Sequence, residues 1–152
     1  MTVKIKEKPS GDLAQALSRA RELKTKLAAA ADELNRSIAE AEAAIAALQI
    51  GVRASVVLEG DPETLWSRLL VFGKDAKGWR LLVSEGRDPI PDSWTEQPLQ
   101  NASREVRLQA IKMLPALVQA MVTTAEKEIQ RLEGAATASR LFVEELAKGR
   151  DQ

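Results

Sequence analysis

The segment LAAAADELNRSIAEAEAAIAAL, from Leu27 to Leu48, contains ten alanines in 22 residues and no glycine or proline. Alanine has the highest intrinsic helix propensity of the amino acids, so this composition predicts a helix. Because an alanine side chain buries little surface, such a helix depends for its stability on close packing against a neighbour. We expect the first of these neighbours to be another helix of the same chain.

The helix is predicted to extend over residues 12–50, because apolar residues recur through five heptads. Ten of the eleven core heptad positions are apolar, and Lys24 is the exception. Alanines beside this seam make the apolar stripe wide enough for two neighbours. The seam positions that we predict to make interaction contacts are Leu13, Leu17, Leu27, Leu34, Ile38, Ile45 and Leu48.

From Gly51 onward the hydrophobic period changes from heptads to two residues. The segments VRASVVLEG, LWSRLLVFG and GWRLLVSEG predict a three-stranded antiparallel β-meander over residues 52–85. Neither face of this sheet is cleanly polar, so one face is expected to pack on the helices and the other could meet a second subunit. Prolines 89, 91 and 98 predict that residues 86–100 form an ordered loop. We expect the Trp94 side chain to pack against the rest of the protein and hold this loop in place.

The last third of the chain is predicted to be helical over residues 101–148, with Asn101 or Ser103 as its cap. Pro115 should kink or split this segment, because its ring clashes with the carbonyl four residues earlier. The sequence as a whole predicts a predominantly helical α+β protein, in which the two helical segments form an antiparallel coiled coil or bundle. It comprises one domain, residues 12–148, after a flexible basic tail at residues 1–11.

The residues needed for most catalytic chemistry are missing from the sequence. Without histidine, cysteine or tyrosine, the chain lacks the usual proton shuttles, thiol nucleophiles and zinc ligands. Glu85, Asp88 and Asp92 could hold a cation loosely, but they match no known ligand spacing and are more typical of a solvated loop. We therefore predict that the protein is not an enzyme and has neither a cofactor nor a metal site.

Two groups of basic residues could contact anions, although the chain has 22 basic and 22 acidic residues. Arg19, Arg21 and Lys26, with Lys4, Lys6 and Lys8, could touch nucleic-acid phosphates. We favour a solvated helix face in which Lys24 sets the helix register. Arg104 and Arg107 could bind a phosphate or a partner carboxylate at a helix start, but a tie to the acidic DPIPD segment is favoured.

The order of a long helix, a small β-meander and a second long helix resembles the layout of prefoldin subunits. That resemblance implies antiparallel coiled-coil arms that project from a β-built oligomer and hold non-native chains. Pro115 and the segment DPIPDSW depart from the uninterrupted arms of that family. The likeness lies in the order of elements, and function does not follow from fold.

These observations predict a non-catalytic coiled-coil interaction protein, such as a scaffold, an adaptor or an accessory subunit of a complex. We expect it to form a homo-oligomer, to bind protein partners and to be cytoplasmic. It is not expected to enter a membrane, since no apolar run approaches the ~20 residues that a spanning helix needs. The alternative is a nucleic-acid-associated accessory protein that uses the basic N-terminal end.

Overall fold

The structure is a computed structural model that describes residues 11–150, and the predicted basic tail lies almost wholly outside these residues. The chain divides into two units between Ala41 and Glu42. The elements are α1 (Gly11–Ala46), β1 (Ala54–Asp61), β2 (Trp66–Asp75), β3 (Gly78–Arg87), β4 (Ile90–Pro98), a 3-10 turn (Leu99–Asn101) and α2 (Arg104–Arg150). The first unit contains most of α1, and the second contains the end of α1, the sheet and α2.

The sheet has four antiparallel strands in the order β1-β2-β3-β4, so the prediction of a three-stranded meander is wrong. The fourth strand is the segment that was predicted to be a loop. It pairs with β3, with Val83 opposite Gln97 and Glu85 opposite Thr95. Its prolines are compatible with a strand because β4 lies at the edge of the sheet, where a missing N–H need not break a ladder between two neighbours.

The central strands are buried on both faces. Leu70 and Phe72 share one face with Leu81 and Val83, and the Phe72 and Trp79 rings stack there at 5.7 Å between centroids. Val71 and Leu82, on the opposite face, are each 1% exposed. The centre of this second face is therefore covered within the chain, whereas Val57 of β1, on the same face, is 57% exposed.

An ion pair spans the second face of the sheet. Arg53, just before β1, pairs with Glu96 on β4, and the Arg53 guanidinium lies over Gly73 of β2. A Cβ at position 73 would lie 2.7 Å from Nη1 of Arg53, so the glycine leaves room for this crossing. The pair thus joins the two ends of the strand order across the sheet.

The C-terminal end of α1 is fixed to the sheet within the second unit. Glu42 Oε2 accepts a hydrogen bond from the Leu81 backbone N–H at 2.8 Å, and Ile45 is buried. The helix ends at Ala46 rather than at residue 50 as predicted, and Gln49 (φ 54°) and Gly51 (φ 69°) adopt left-handed conformations. The left-handed conformation predicted for Gly51 is therefore present, but it follows a turn that Gln49 begins.

The second helix begins after Ser103, whose Oγ accepts the Val106 backbone N–H at 3.3 Å. It continues to Arg150 without a break, so Pro115 does not split it. Pro115 is exposed, which allows water to solvate the carbonyl that the proline leaves without its helical partner. The first half of α2 packs against β1 and β2 through a stripe of Val106, Ala110, Leu117 and Met121, whereas every residue from Ile129 to Arg150 is exposed.

Candidate interaction surfaces

The N-terminal part of α1 carries an uncovered row of leucines. Leu13, Leu17, Leu23 and Leu27, here called the α1 stripe, are between 45% and 52% exposed. Ala20 lies among them, and the only polar residue at a core heptad position in this row is Lys24. A soluble monomer rarely exposes a continuous apolar row of this kind, so the α1 stripe is a candidate interaction surface.

The seam that was predicted along α1 has two different environments. Leu13, Leu17 and Leu27 are each about half exposed. Leu34 is half-buried, Ile38 and Ile45 are buried, and Leu48 lies exposed in the turn after the helix. The heptad pattern is the same along the whole helix, which explains why the sequence could not separate the two parts.

The C-terminal part of α2 carries a second uncovered row at heptad spacing. Its members, here called the α2 stripe, are between 41% and 61% exposed; they are Val122, Ile129, Leu132, Val143 and Leu146. Small residues (Ala125, Ala136 and Ser139) fill the positions between them. The three-four spacing marks most of this row in the sequence, but none of its members is among the predicted contact residues.

The N-terminal end of the α2 stripe, from Val122 to Leu132, borders an apolar groove. The groove is formed by Val122, Ala125, Ile129 and Leu132 of α2 with Ile50 and Val52 from the segment before β1. Glu126 and Glu128 lie at its edge, and Glu133 follows Glu126 by one heptad. This α2 groove therefore combines an aliphatic floor with a carboxylate rim.

The basic residues predicted to contact anions are spread over two helices. Arg19 pairs with Glu22 at 3.0 Å, whereas Arg21 and Lys26 are exposed on α1. Lys4, Lys6 and Lys8 lie outside the described residues. At the start of α2, Arg104 is exposed and Arg107 is half-buried. None of these positions decides between an anion contact and a solvated surface, so the anion-contact assignments stay predictions.

The acidic residues near the sheet take part in a structural ion-pair network. Arg68 on β2 contacts Glu59 of β1 at 2.9 Å and Glu85 of β3 at 3.2 Å, and its guanidinium lies 5.0 Å from the centroid of the Trp66 ring. Glu85, considered above as a loose cation ligand, is therefore engaged in a cross-strand pair. Within residues 11–150 no group of three or more acidic residues is arranged to hold a metal ion.

In the described part of the chain, neither α1 nor α2 has an apolar stretch long enough to cross a lipid bilayer. Comparison with protein families, with curated proteins and with solved structures gives no match to this chain. The two stripes and the α2 groove are thus the features on which a functional proposal has to rest.

Proposed function

We propose that this protein is a non-catalytic interaction protein that assembles with itself through coiled-coil contacts and acts as a scaffold, adaptor or accessory subunit. The observation that carries this proposal is the α1 stripe, in which three leucines at core heptad positions, with Leu23 beside them, lie about half exposed along a helix. Heptad leucines on a helix surface are typical of a seam that a second helix covers. The α2 stripe repeats the same feature in the second unit.

The exposed apolar surface of the two stripes is large enough to contribute substantially to association. Covering a half-exposed leucine stabilises a complex by about 1 kcal/mol, roughly half of what is gained from a fully exposed aliphatic side chain. The nine members of the two stripes would together contribute on the order of 9 kcal/mol per chain. That is comparable with the roughly 4–15 kcal/mol that association costs in lost translational and rotational freedom.

The alternative of nucleic-acid association has weaker support. Arg19 is already paired with Glu22, and α1 contains no aromatic residue on which a base could stack. This alternative would predict binding that weakens steeply with salt and is lost when Arg19, Arg21 and Lys26 are neutralised. Association through leucines would depend much less on salt, so a salt titration separates the two.

Light scattering on the full chain tests the proposal. We expect the wild-type protein to be oligomeric at micromolar concentration, and Leu17→Asp to raise the dissociation constant at least about 100-fold, because an unpaired carboxylate would be buried in the contact. Ala29→Asp places the same charge on an exposed position of the same helix outside the α1 stripe and should leave assembly unchanged. A wild-type chain that stays monomeric throughout would contradict the proposal.

A further inference from the structure

We propose that the α1 stripe of one copy binds the α2 groove of a second copy, and that two chains exchange this contact reciprocally. This inference rests on the proposed function and goes beyond it by naming the surface that covers the α1 stripe. It is carried by the charges that accompany the two apolar surfaces.

Pairing of two α1 stripes with each other is electrostatically unfavourable. Residues 11–30 contain four basic and two acidic residues, and Lys24 occupies a core heptad position with Arg21 in the column beside the seam. In the described residues no ion pair involves Arg21 or Lys24. Two copies of this segment would therefore bring unpaired cations together over a shared apolar contact, which costs binding energy.

The α2 groove has the opposite charge character. Glu126 lies at its edge, and Glu133 lies one heptad further along the same side of the α2 stripe. Glu128 already pairs with Arg131 at 2.7 Å, whereas no ion pair in residues 11–150 involves Glu126 or Glu133. The groove and the apolar row beyond it thus offer two carboxylates, Glu126 at the groove and Glu133 beside the row, and the α1 stripe offers two cations beside leucines.

The dimensions of the two surfaces are also compatible. At about 1.5 Å per residue, the α1 stripe from Leu13 to Leu27 is roughly 21 Å long, and the α2 stripe from Val122 to Leu146 is roughly 36 Å long. The leucines can therefore lie along the groove and the row beyond it without leaving the apolar surface.

Reciprocal exchange accounts for both surfaces at once. Each chain carries one α1 stripe and one α2 groove, so two copies related by a twofold axis cover both surfaces in each chain and leave neither open for further growth. In such a dimer the cations beside each α1 stripe face the carboxylates beside an α2 groove, so the α1 cations of the two copies do not face each other.

A charge-exchange experiment on the full chain tests the pairing. The first variant carries Glu126→Lys and Glu133→Lys, and the second carries Arg21→Glu and Lys24→Glu. All four positions are exposed, so the substitutions should leave the sheet and its packing intact.

By sedimentation velocity we expect each variant alone to dimerise at least about tenfold more weakly than wild type, because both reciprocal contacts become repulsive. An equimolar mixture should regain dimers, because each contact in the mixed pair again joins opposite charges.

Matched controls carry the same charge changes away from the apolar rows. Arg19→Glu with Lys26→Glu alters two cations in an outer column of α1, and Glu144→Lys with Glu145→Lys alters two acids outside the seam of α2. Both controls should dimerise as the wild type does. Wild-type oligomers that are insensitive to Glu126→Lys and Glu133→Lys would overturn the pairing but leave the proposed function standing, as would two weakened variants that fail to recover on mixing. A monomeric wild type would overturn both.

Discussion

The contact between Gly86 and Trp94 shows how one residue fixes the edge strand. A Cβ at position 86 would lie 2.6 Å from Cγ of Trp94 and 2.8 Å from its Cα, closer than non-bonded carbon atoms approach in proteins. Gly86→Ala should therefore displace Trp94 with β4 and lower the free energy of unfolding by about 2 kcal/mol, within the usual range for overpacking. Chemical denaturation followed by tryptophan fluorescence measures this change.

Gly60→Ala is the control for that substitution. A Cβ at position 60 would meet its nearest atom, the Trp66 carbonyl oxygen, at an ordinary 3.5 Å, so stability should change by less than about 0.5 kcal/mol. Equal stability of the two variants would mean that Trp94 does not hold the edge strand against β3.

Single residues were predictable from sequence only where their role is local. The sequence predicts Asn101 or Ser103 as the N-cap of α2. In the structure the cap is Ser103, whose Oγ accepts a hydrogen bond from the Val106 backbone N–H in the first turn. The role of Glu42 could not be inferred in this way, because its carboxylate meets the Leu81 backbone N–H 39 residues away. Contacts of that kind depend on the register of strands that the sequence does not specify.

At the scale of elements, α2 is one helix with two different environments. Leu117 is fully buried against the sheet, whereas Leu132 is 61% exposed. Leu117→Ala should lower the free energy of unfolding by roughly 2–5 kcal/mol, because it removes core contacts and leaves a cavity. Leu132→Ala removes the same atoms from the α2 stripe and should change monomer stability by less than about 0.5 kcal/mol.

Urea unfolding at low protein concentration, where assembly contributes little, compares these two variants of the same helix. Sedimentation of both at high concentration should then show weaker assembly for Leu132→Ala. Equal losses of stability from the two substitutions would show that the outer part of α2 belongs to the core of the folded chain.

The predictions for whole elements are correct where the hydrophobic periodicity is strong. They are wrong for β4, because an edge strand tolerates the prolines that a central strand excludes. Five heptads located α1 correctly, apart from four residues at its C-terminal end. The fourth strand was missed because its prolines argue against a central strand, and nothing local in the sequence marks Ile90–Pro98 as an edge. Of the two expectations for Pro115, the split is wrong, because α2 continues through this exposed position, and the kink stays a prediction.

At the scale of the whole molecule, the order of helix, sheet and helix follows from the sequence, but the covering of the helices does not. A heptad pattern predicts that another helix covers the apolar stripe, but it does not determine whether that helix belongs to the same chain or to a second copy. The α1 stripe is exposed in the single chain, and the buried Ile38 and Ile45 lie on the same helix. Assembly is therefore the property that sequence analysis of one chain leaves open.

Hydrogen exchange at two protein concentrations addresses this property directly. An isolated helix is only marginally stable in water, so the amides of residues 15–30 in α1 and 133–147 in α2 should exchange quickly when the chain is alone. Covering by a second copy slows this exchange by mass action, and we expect protection in both segments to rise between about 1 and about 100 micromolar. Amides of Leu70 to Gly73 in the buried sheet should already be strongly protected at the lower concentration, because the fold of the single chain covers them. Leu17→Asp should remove the concentration dependence in both helices, because the reciprocal contact joins them. Concentration dependence confined to α1 would instead point to pairing between α1 segments, and none in either helix would mean that a second copy covers neither stripe.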